Sequence, residues 1–186
     1  MSATSNDTVE LPVPKDDGAC DHLTGLTLPN IDLPATSGGA VNFSQLSGLV
    51  VIYIYPRTGQ PNVALPDGWE QIPGAMGCTP QSCAFRDHHG ELEQLNASVF
   101  GLSTQDSAYQ QEAAQRLQLN FPLVSDEQRS FIDALKLPTF EAAGMVLGKR
   151  VTLVARDGVI EKVFYPVFPP GDNAAQVVNY LQQQGG

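Results

Sequence analysis

The chain is short of positive charge, of cysteine and of long apolar runs, and each shortage excludes a class of protein. It has ten Lys and Arg against twenty Asp and Glu, a formal net charge of −10. So acidic a surface repels nucleic acid and anionic lipid, so a small or neutral substrate is expected rather than either polyanion. No window approaches the ~18 to 20 uninterrupted apolar residues of a membrane-spanning helix. Met1 to Lys15 has no basic region followed by an apolar run, so no secretory signal is read there and a cytoplasmic protein is expected. Three cysteines in 186 residues are too few for a disulfide scaffold and odd in number. In a reducing compartment they point to reactivity rather than cross-linking. Of three histidines, His88 and His89 are adjacent and cannot face one ligand point from a helix, so they read as exposed side chains.

What is present suffices for one packed core, since 42% of the residues are hydrophobic. Residues 1–22 lack periodicity and read as an extended polar arm, with Cys20 an accessible bystander thiol near its end. Residues 23–186 read as one domain. Short apolar runs around Thr36-Ser37-Gly38-Gly39 predict an N-terminal β-hairpin, followed by a helical turn over Ser44 to Gly48. Leu49 to Tyr55 is a β-branched and aromatic run, the pattern of a strand buried on both faces at the centre of a sheet. Pro56 stops it. Residues 57–77 then read as a long loop, with Trp69 its anchor, and a loop of that length at the carboxyl end of a central strand tends to carry function.

Beyond the loop, a helix is expected from Thr79 to about Asn96, weakened at His88-His89-Gly90, then a strand over Val99 to Ser103 and a helix over Ser107 to Leu117. A third helix is expected from Ser125 to Leu135. Arg150 to Ala155 and Val159 to Phe164 flank the turn Arg156-Asp157-Gly158, and Asp172 is read as the cap of a final helix to about Gln184. Alternating strands and helices followed by a hairpin and a closing helix give an α/β protein of thioredoxin-like fold, a central mixed sheet flanked by helices.

The chemistry is expected in Gly77-Cys78-Thr79-Pro80-Gln81-Ser82-Cys83-Ala84-Phe85-Arg86-Asp87. Two of the three cysteines lie five residues apart there, at a helix start where Pro80 suits the first turn and Thr79 the N-cap. A thiol at the positive end of a helix is favoured as thiolate. At an ordinary pKa of about 8.5 only ~3% is ionised at pH 7, whereas a shift to ~6 gives ~90%. Spacing alone still allows two buried thiols that do nothing.

Several separated blocks carry a family resemblance. The strand ending in Tyr55-Pro56, the Cys78 block, Gly101-Leu102-Ser103-Thr104, Phe121-Pro122-Leu123-Val124-Ser125-Asp126 and Arg150 occur in order over residues 23–184. Together they resemble a peroxiredoxin of the bacterioferritin-comigratory, or Q-type, atypical two-cysteine class. The resemblance implies a thiol-dependent peroxidase acting on hydrogen peroxide and organic hydroperoxides. It makes Cys78 the peroxidatic cysteine, Cys83 the resolving cysteine and Arg150 the neighbouring guanidinium, with Pro56 and Gln81 in support. No metal or organic cofactor is implied, and the disulfide would be reduced by a thioredoxin- or glutaredoxin-like partner. The chain departs from the pattern at two points. Ala75 stands where the family has Thr or Ser three residues before the nucleophile, and an insertion separates Pro56 from Cys78. Aligned from the strand side, Thr58 fills the hydroxyl position if Gln60 to Met76 loops out; otherwise no hydroxyl does. A thiol-disulfide oxidoreductase, a copper-binding thioredoxin-like protein and a non-enzymatic binding module are the alternatives, although an oxidoreductase normally uses Cys-x-x-Cys. Long apolar edge segments are absent, so a monomer, or at most a weak dimer, is expected.

Overall fold

The computed structural model describes residues 10–185. Its centre is strand β3, Leu49–Ile54, whose alternating side chains enter two different cores. Val50, Ile52 and Ile54 join the core on one face, and Val51 and Tyr53, with Tyr55 just beyond the strand, join the core on the other. This is the period of two expected of a strand covered on both sides. Around it a five-stranded mixed sheet has the order β5-β4-β3-β8-β9. β4 (Ala97–Ser103) pairs parallel to β3 and to β5 (Leu123–Ser125), while β8 (Val151–Arg156) pairs antiparallel to β3 and to β9 (Val159–Phe164). An N-terminal hairpin of β1 (Leu33–Pro34) and β2 (Ala40–Val41) forms as expected.

One face is covered by α1 (Cys78–Asp87), α2 (His89–Gln94) and α5 (Asn173–Gln184), through Phe85, Leu92, Ala174, Val177, Val178 and Leu181. The other is covered by Cys20, Leu23, Leu28 and Phe43 from the N-terminal segment, and by Phe131 and Ile132 of α4 (Ser130–Ala134). α3 (Ser107–Arg116) is capped by the Asp106 carboxylate, which accepts from Tyr109 N at 2.8 Å.

Four expectations are corrected. The helix after Cys78 is broken at His88, which leaves helical geometry at ψ 3°. The helix read from Ser125 starts only at Ser130, because Ser125 closes β5. Asp126 reaches forward across a turn to accept from Phe131 N at 3.1 Å and Ile132 N at 2.9 Å. Asp172 occupies the N-cap position of α5, but in helical dihedrals its side chain makes no cap bond. Cys20 is buried rather than accessible. Residues 18–23 fold into turns closed by Asp21 N on Gly18 O and Leu23 N on Cys20 O, and burial with the neighbouring Asp16, Asp17 and Asp21 pushes the Cys20 thiol up to about 12. Residues 1–9 of the arm lie outside the described residues. A hairpin with no counterpart in the sequence reading, β6 (Thr139–Ala142) with β7 (Met145–Gly148), precedes Arg150.

Candidate active site

The helix bearing both cysteines starts two residues earlier than its cap signals imply. Gly77, not Thr79, holds the N-cap position, with φ 108°. A β-carbon there would lie 2.6 Å from Pro170 Cγ, so only glycine turns the chain into α1 against the Pro170–Asp172 turn. Cys78 is therefore the first helical residue, where unpaired backbone N–H groups and the helix dipole favour negative charge. It is 3% exposed, and Cys83, five residues on, is half-buried.

Arg150 is brought to Cys78 by β8, which it immediately precedes. It is 4% exposed. Its Nη2 donates to Cys78 Sγ at 3.2 Å and to the carbonyls of Gly74, Ala75 and Met76 at 3.1, 3.3 and 3.2 Å. Its Nη1 donates to Gln81 Oε1 at 2.6 Å. A planar guanidinium can serve acceptors on two sides at once, as an ammonium cannot. Gln81 Nε2 in turn donates to Asn173 Oδ1 at 3.1 Å, and Thr152 Oγ1 donates to the same oxygen at 2.7 Å. The network ties α1, α5, β8 and the end of the long loop to one cation. All four of Gln81, Arg150, Thr152 and Asn173 are buried. A second anchor joins Ser82 Oγ to Tyr53 Oη at 2.9 Å, and the Tyr53 ring stacks on Phe85 with centroids 4.6 Å apart. Burial raises the Tyr53 hydroxyl well above its ordinary range, so it remains a neutral phenol.

The structure thus brings Cys78, Gln81 and Arg150 into direct contact, with Cys83 on the same helix. Pro56 is buried just beyond β3. Thr58 is buried too, but it is held towards α3: Gln105 Oε1 accepts from its backbone N–H at 3.3 Å and Tyr109 Oη donates to its carbonyl at 2.6 Å. Its hydroxyl has no hydrogen-bond partner among the described residues. At the position three before Cys78, the Ala75 carbonyl accepts from Cys78 Sγ at 3.8 Å and from Arg150 Nη2 at 3.3 Å, so it orients the guanidinium and does not take the place of a hydroxyl donor. Sequence reasoning missed Ser82, Thr152, Asn173 and the run of carbonyls. A backbone acceptor leaves no trace in residue identity, and Asn173 next to Asp172 reads as ordinary helix-start chemistry. Among the described residues no group of three or more His, Cys, Asp or Glu is placed to hold a metal ion.

A mixed sheet flanked by helices, with a cysteine at a helix start beside a buried guanidinium, defines the class as thioredoxin-like α/β. Residues 23–181 match the Redoxin family, and the chain belongs to that family. The relatives and solved structures it is similar to include proteins named peroxiredoxin Q and bacterioferritin comigratory protein. The chloroplastic peroxiredoxin Q of rice (Oryza sativa subsp. japonica) is 29% identical over 159 residues, 85% of this chain and 66% of the rice protein. This chain therefore spans just under two thirds of that relative's length. The crystal structure of peroxidoxin BcpB from Mycobacterium tuberculosis aligns with TM-score 0.71 at 26% identity, covering 87% of this chain and 98% of that one. A Xylella fastidiosa PrxQ structure shares the fold, with TM-score 0.72 at 21% identity over 89% of this chain and 99% of that one.

Proposed function

We propose that the protein is a thiol-dependent peroxidase in which Cys78 is the peroxidatic and Cys83 the resolving cysteine. The observation that carries this reading is the Arg150 Nη2 contact to Cys78 Sγ at 3.2 Å at a helix start. A cation fixed beside a sulfur at the positive end of a helix stabilises negative charge there. The same groups can follow that charge as it moves to the leaving oxygen. The Cys78 thiolate attacks the distal oxygen of a hydroperoxide ROOH. The O–O bond breaks, the leaving oxygen takes a proton to give ROH, or water when R is hydrogen, and Cys78 becomes a sulfenic acid. Cys83 then condenses with it, forming a disulfide and releasing water. A thioredoxin- or glutaredoxin-like dithiol regains both thiols by exchange and is itself oxidised. Gln81 holds Arg150 in place, and Pro56 ends the strand that leads into the long loop.

The spacing Cys-x-x-x-x-Cys does not suit a thiol-disulfide oxidoreductase, and the copper-binding alternative lacks a converging ligand set among the described residues. No helix among the described residues is long and apolar enough to cross a membrane. A monomer in the reducing cytoplasm fits a cycle that ends in reduction by a dithiol. The test is one equivalent of hydrogen peroxide, followed by acid quench and a thiol count in denaturant. Three thiols should fall to one, with a Cys78–Cys83 bond in the peptide map; a count that stays at three defeats the proposal.

A further inference from the structure

We infer that the crevice at the carboxyl ends of β3, β4 and β5 is a binding site for a small phosphate ester, with Arg57, Arg129 and Gln105 as the side chains that hold the anion. The inference goes beyond the peroxidase reading and does not depend on it: neither Cys78 nor Arg150 lines this space. Its volume is about 420 Å³, within the roughly 300 to 1,000 Å³ usual for small-molecule sites. Thr104 to Asp106 line it from the end of β4, Arg57 from just beyond β3, and Arg129 from the turn after β5. The three strands are parallel neighbours in the order β5-β4-β3, so their ends stand side by side. Two strand spacings, roughly 9 to 10 Å, separate the outer pair, a gap that two arginine side chains can close over the end of β4. Open α/β sheets take their ligands outside this edge.

The donors in this crevice are not used up by the fold. Neither arginine forms an ion pair among the described residues, whereas Arg86, Arg116 and Arg156 each do. Arg57 is half-buried and held without losing its charge: Nε donates to Tyr109 Oη at 3.3 Å, Nη1 donates to Met145 Sδ at 3.6 Å, and the guanidinium carbon stands 5.3 Å from the centre of the Tyr109 ring. That leaves a positioned planar fork. Gln105, 9% exposed, accepts through Oε1 from Thr58 N at 3.3 Å and Ser103 Oγ at 3.4 Å, but its buried Nε2 has no partner among the described residues. Buried amide donors left open are rare in folded chains, and a ligand oxygen would satisfy this one. Arg129 has φ 60°, a left-handed backbone that Asn or Gly adopts more readily, so nothing in the local fold calls for arginine there.

Two carboxylates share the wall and cancel its formal charge, yet neither pairs with an arginine. Asp106 is engaged as the cap of α3, accepting from Tyr109 N at 2.8 Å, and Glu127 is exposed to water. Thr104 is engaged too, donating to Val146 O at 3.2 Å. What remains open to a ligand is two guanidinium groups and one amide donor. That set suits a compact dianion, because a guanidinium matches two oxygens of a phosphate and the phosphate keeps a further oxygen for the amide. A carboxylate offers only two oxygens and one charge. Beside these donors the Tyr109 ring and Met145 give an apolar surface for the organic part of the ester.

The test needs no peroxide, so its failure leaves the thiol-count experiment untouched, and the reverse. Phenyl phosphate, benzoate and benzyl alcohol are titrated calorimetrically into the reduced full-length chain. Phenyl phosphate should bind at least tenfold more tightly than either of the others, and less tightly as salt is raised. Arg57→Gln and Arg129→Asn should each weaken it tenfold or more. Asn suits φ 60°, so Arg129→Asn should keep or raise the melting temperature, and a loss of binding there reports the guanidinium rather than the fold. Glu127→Gln should tighten binding two- to fivefold. Arg156→Gln, at an exposed arginine paired with Glu161 and away from the crevice, is the control and should change nothing. No binding of phenyl phosphate, or equal weakening by Arg156→Gln and Arg129→Asn, overturns the site. Benzoate binding as tightly as phenyl phosphate overturns the phosphate preference.

Discussion

Disulfide formation between Cys78 and Cys83 requires the first turns of α1 to unwind, and Ser82 sets how readily they do. Both cysteines lie within α1, five residues apart. In an ideal helix that separation is a rise of about 7.5 Å and a rotation of about 500°, which puts the Cα atoms roughly 8 to 9 Å apart. A disulfide allows only about 4.4 to 6.8 Å. Opening breaks the Gln81 contacts to Arg150 and Asn173 and the Ser82 contact to Tyr53. Ser82→Gly removes the last of these, worth about 1 kcal/mol net, and lowers helix propensity by on the order of 0.5 kcal/mol. The two add to about 1.5 kcal/mol, so an opening pre-equilibrium should shift roughly tenfold and disulfide formation should speed up accordingly. In Ser82→Ala the propensity change has the opposite sign, on the order of 0.5 kcal/mol in favour of helix, so the gain should be only about twofold. The assay is a quench series after one equivalent of peroxide, with a dimedone trap for the Cys78 sulfenate and mass spectrometry for the disulfide. Amide exchange across Thr79 to Arg86 is measured in parallel. A wild-type rate in Ser82→Gly refutes the reasoning. So does equal protection of the reduced and oxidised chains once the disulfide is confirmed by mass.

Arg150→Ala should slow sulfenate formation by roughly one to two orders of magnitude, since a charged hydrogen bond is worth about 1.5 to 3 kcal/mol; Arg150→Lys should fall between, and a wild-type stopped-flow rate in the Ala variant would remove Arg150 from the chemistry. Trp69→Ala should lower the melting temperature by roughly 6 to 12 °C, the consequence of losing ~3 kcal/mol of buried aromatic packing against Ala75 and Leu147. Cys20 should resist iodoacetamide at pH 8 while Cys83 is labelled, because burial raises its thiol to about 12; peptide mapping before and after unfolding in urea decides it. Burial raises the Asp126 carboxyl above 3.8, so as pH falls the folded chain binds that proton before the unfolded chain does. Its contribution is complete below 3.8 and lost as pH rises through the folded value. Urea melts at pH 7 and pH 4.5 should therefore show wild type gaining on Asp126→Asn at the lower pH.

The elements legible in the sequence were those whose residues answer to one local rule. Leu49 to Tyr55 alternates between two covered faces, so its place at the sheet centre follows from its own residues. Gly77 to Asp87 carries Gly, Pro and two Cys at a helix start, and the helix is there, displaced only because Gly77 packs on Pro170. β5 is three residues long, too short to show a period, and β6 and β7 are four residues each with mixed burial. Cys20 looked exposed because its neighbours in sequence are acidic, yet turns over residues 18–23 carry it into the core beneath β3 and β8. Burial of one residue in a polar segment is decided by tertiary contacts that no local pattern encodes.

The long loop and the site are one construction, which explains Ala75. Trp69, Ala75 and Leu147 form a buried cluster with Phe140 and Met145 of the β6–β7 hairpin packed against it. That hairpin ends at Gly148, and Arg150 follows two residues later. The same packing therefore fixes the end of the loop and the start of β8, and so sets the distance between the carbonyls of Gly74 to Met76 and the guanidinium they accept from. A hydroxyl at position 75 would point into the apolar contact with Trp69 and Leu147, at a cost of about 1 to 3 kcal/mol if left without a partner. Backbone oxygens face the other way, towards Arg150 and Cys78. Once the insertion is packed through its side chains, its carbonyls are left to hold the guanidinium beside the thiol, and a small apolar residue at position 75 suits that packing.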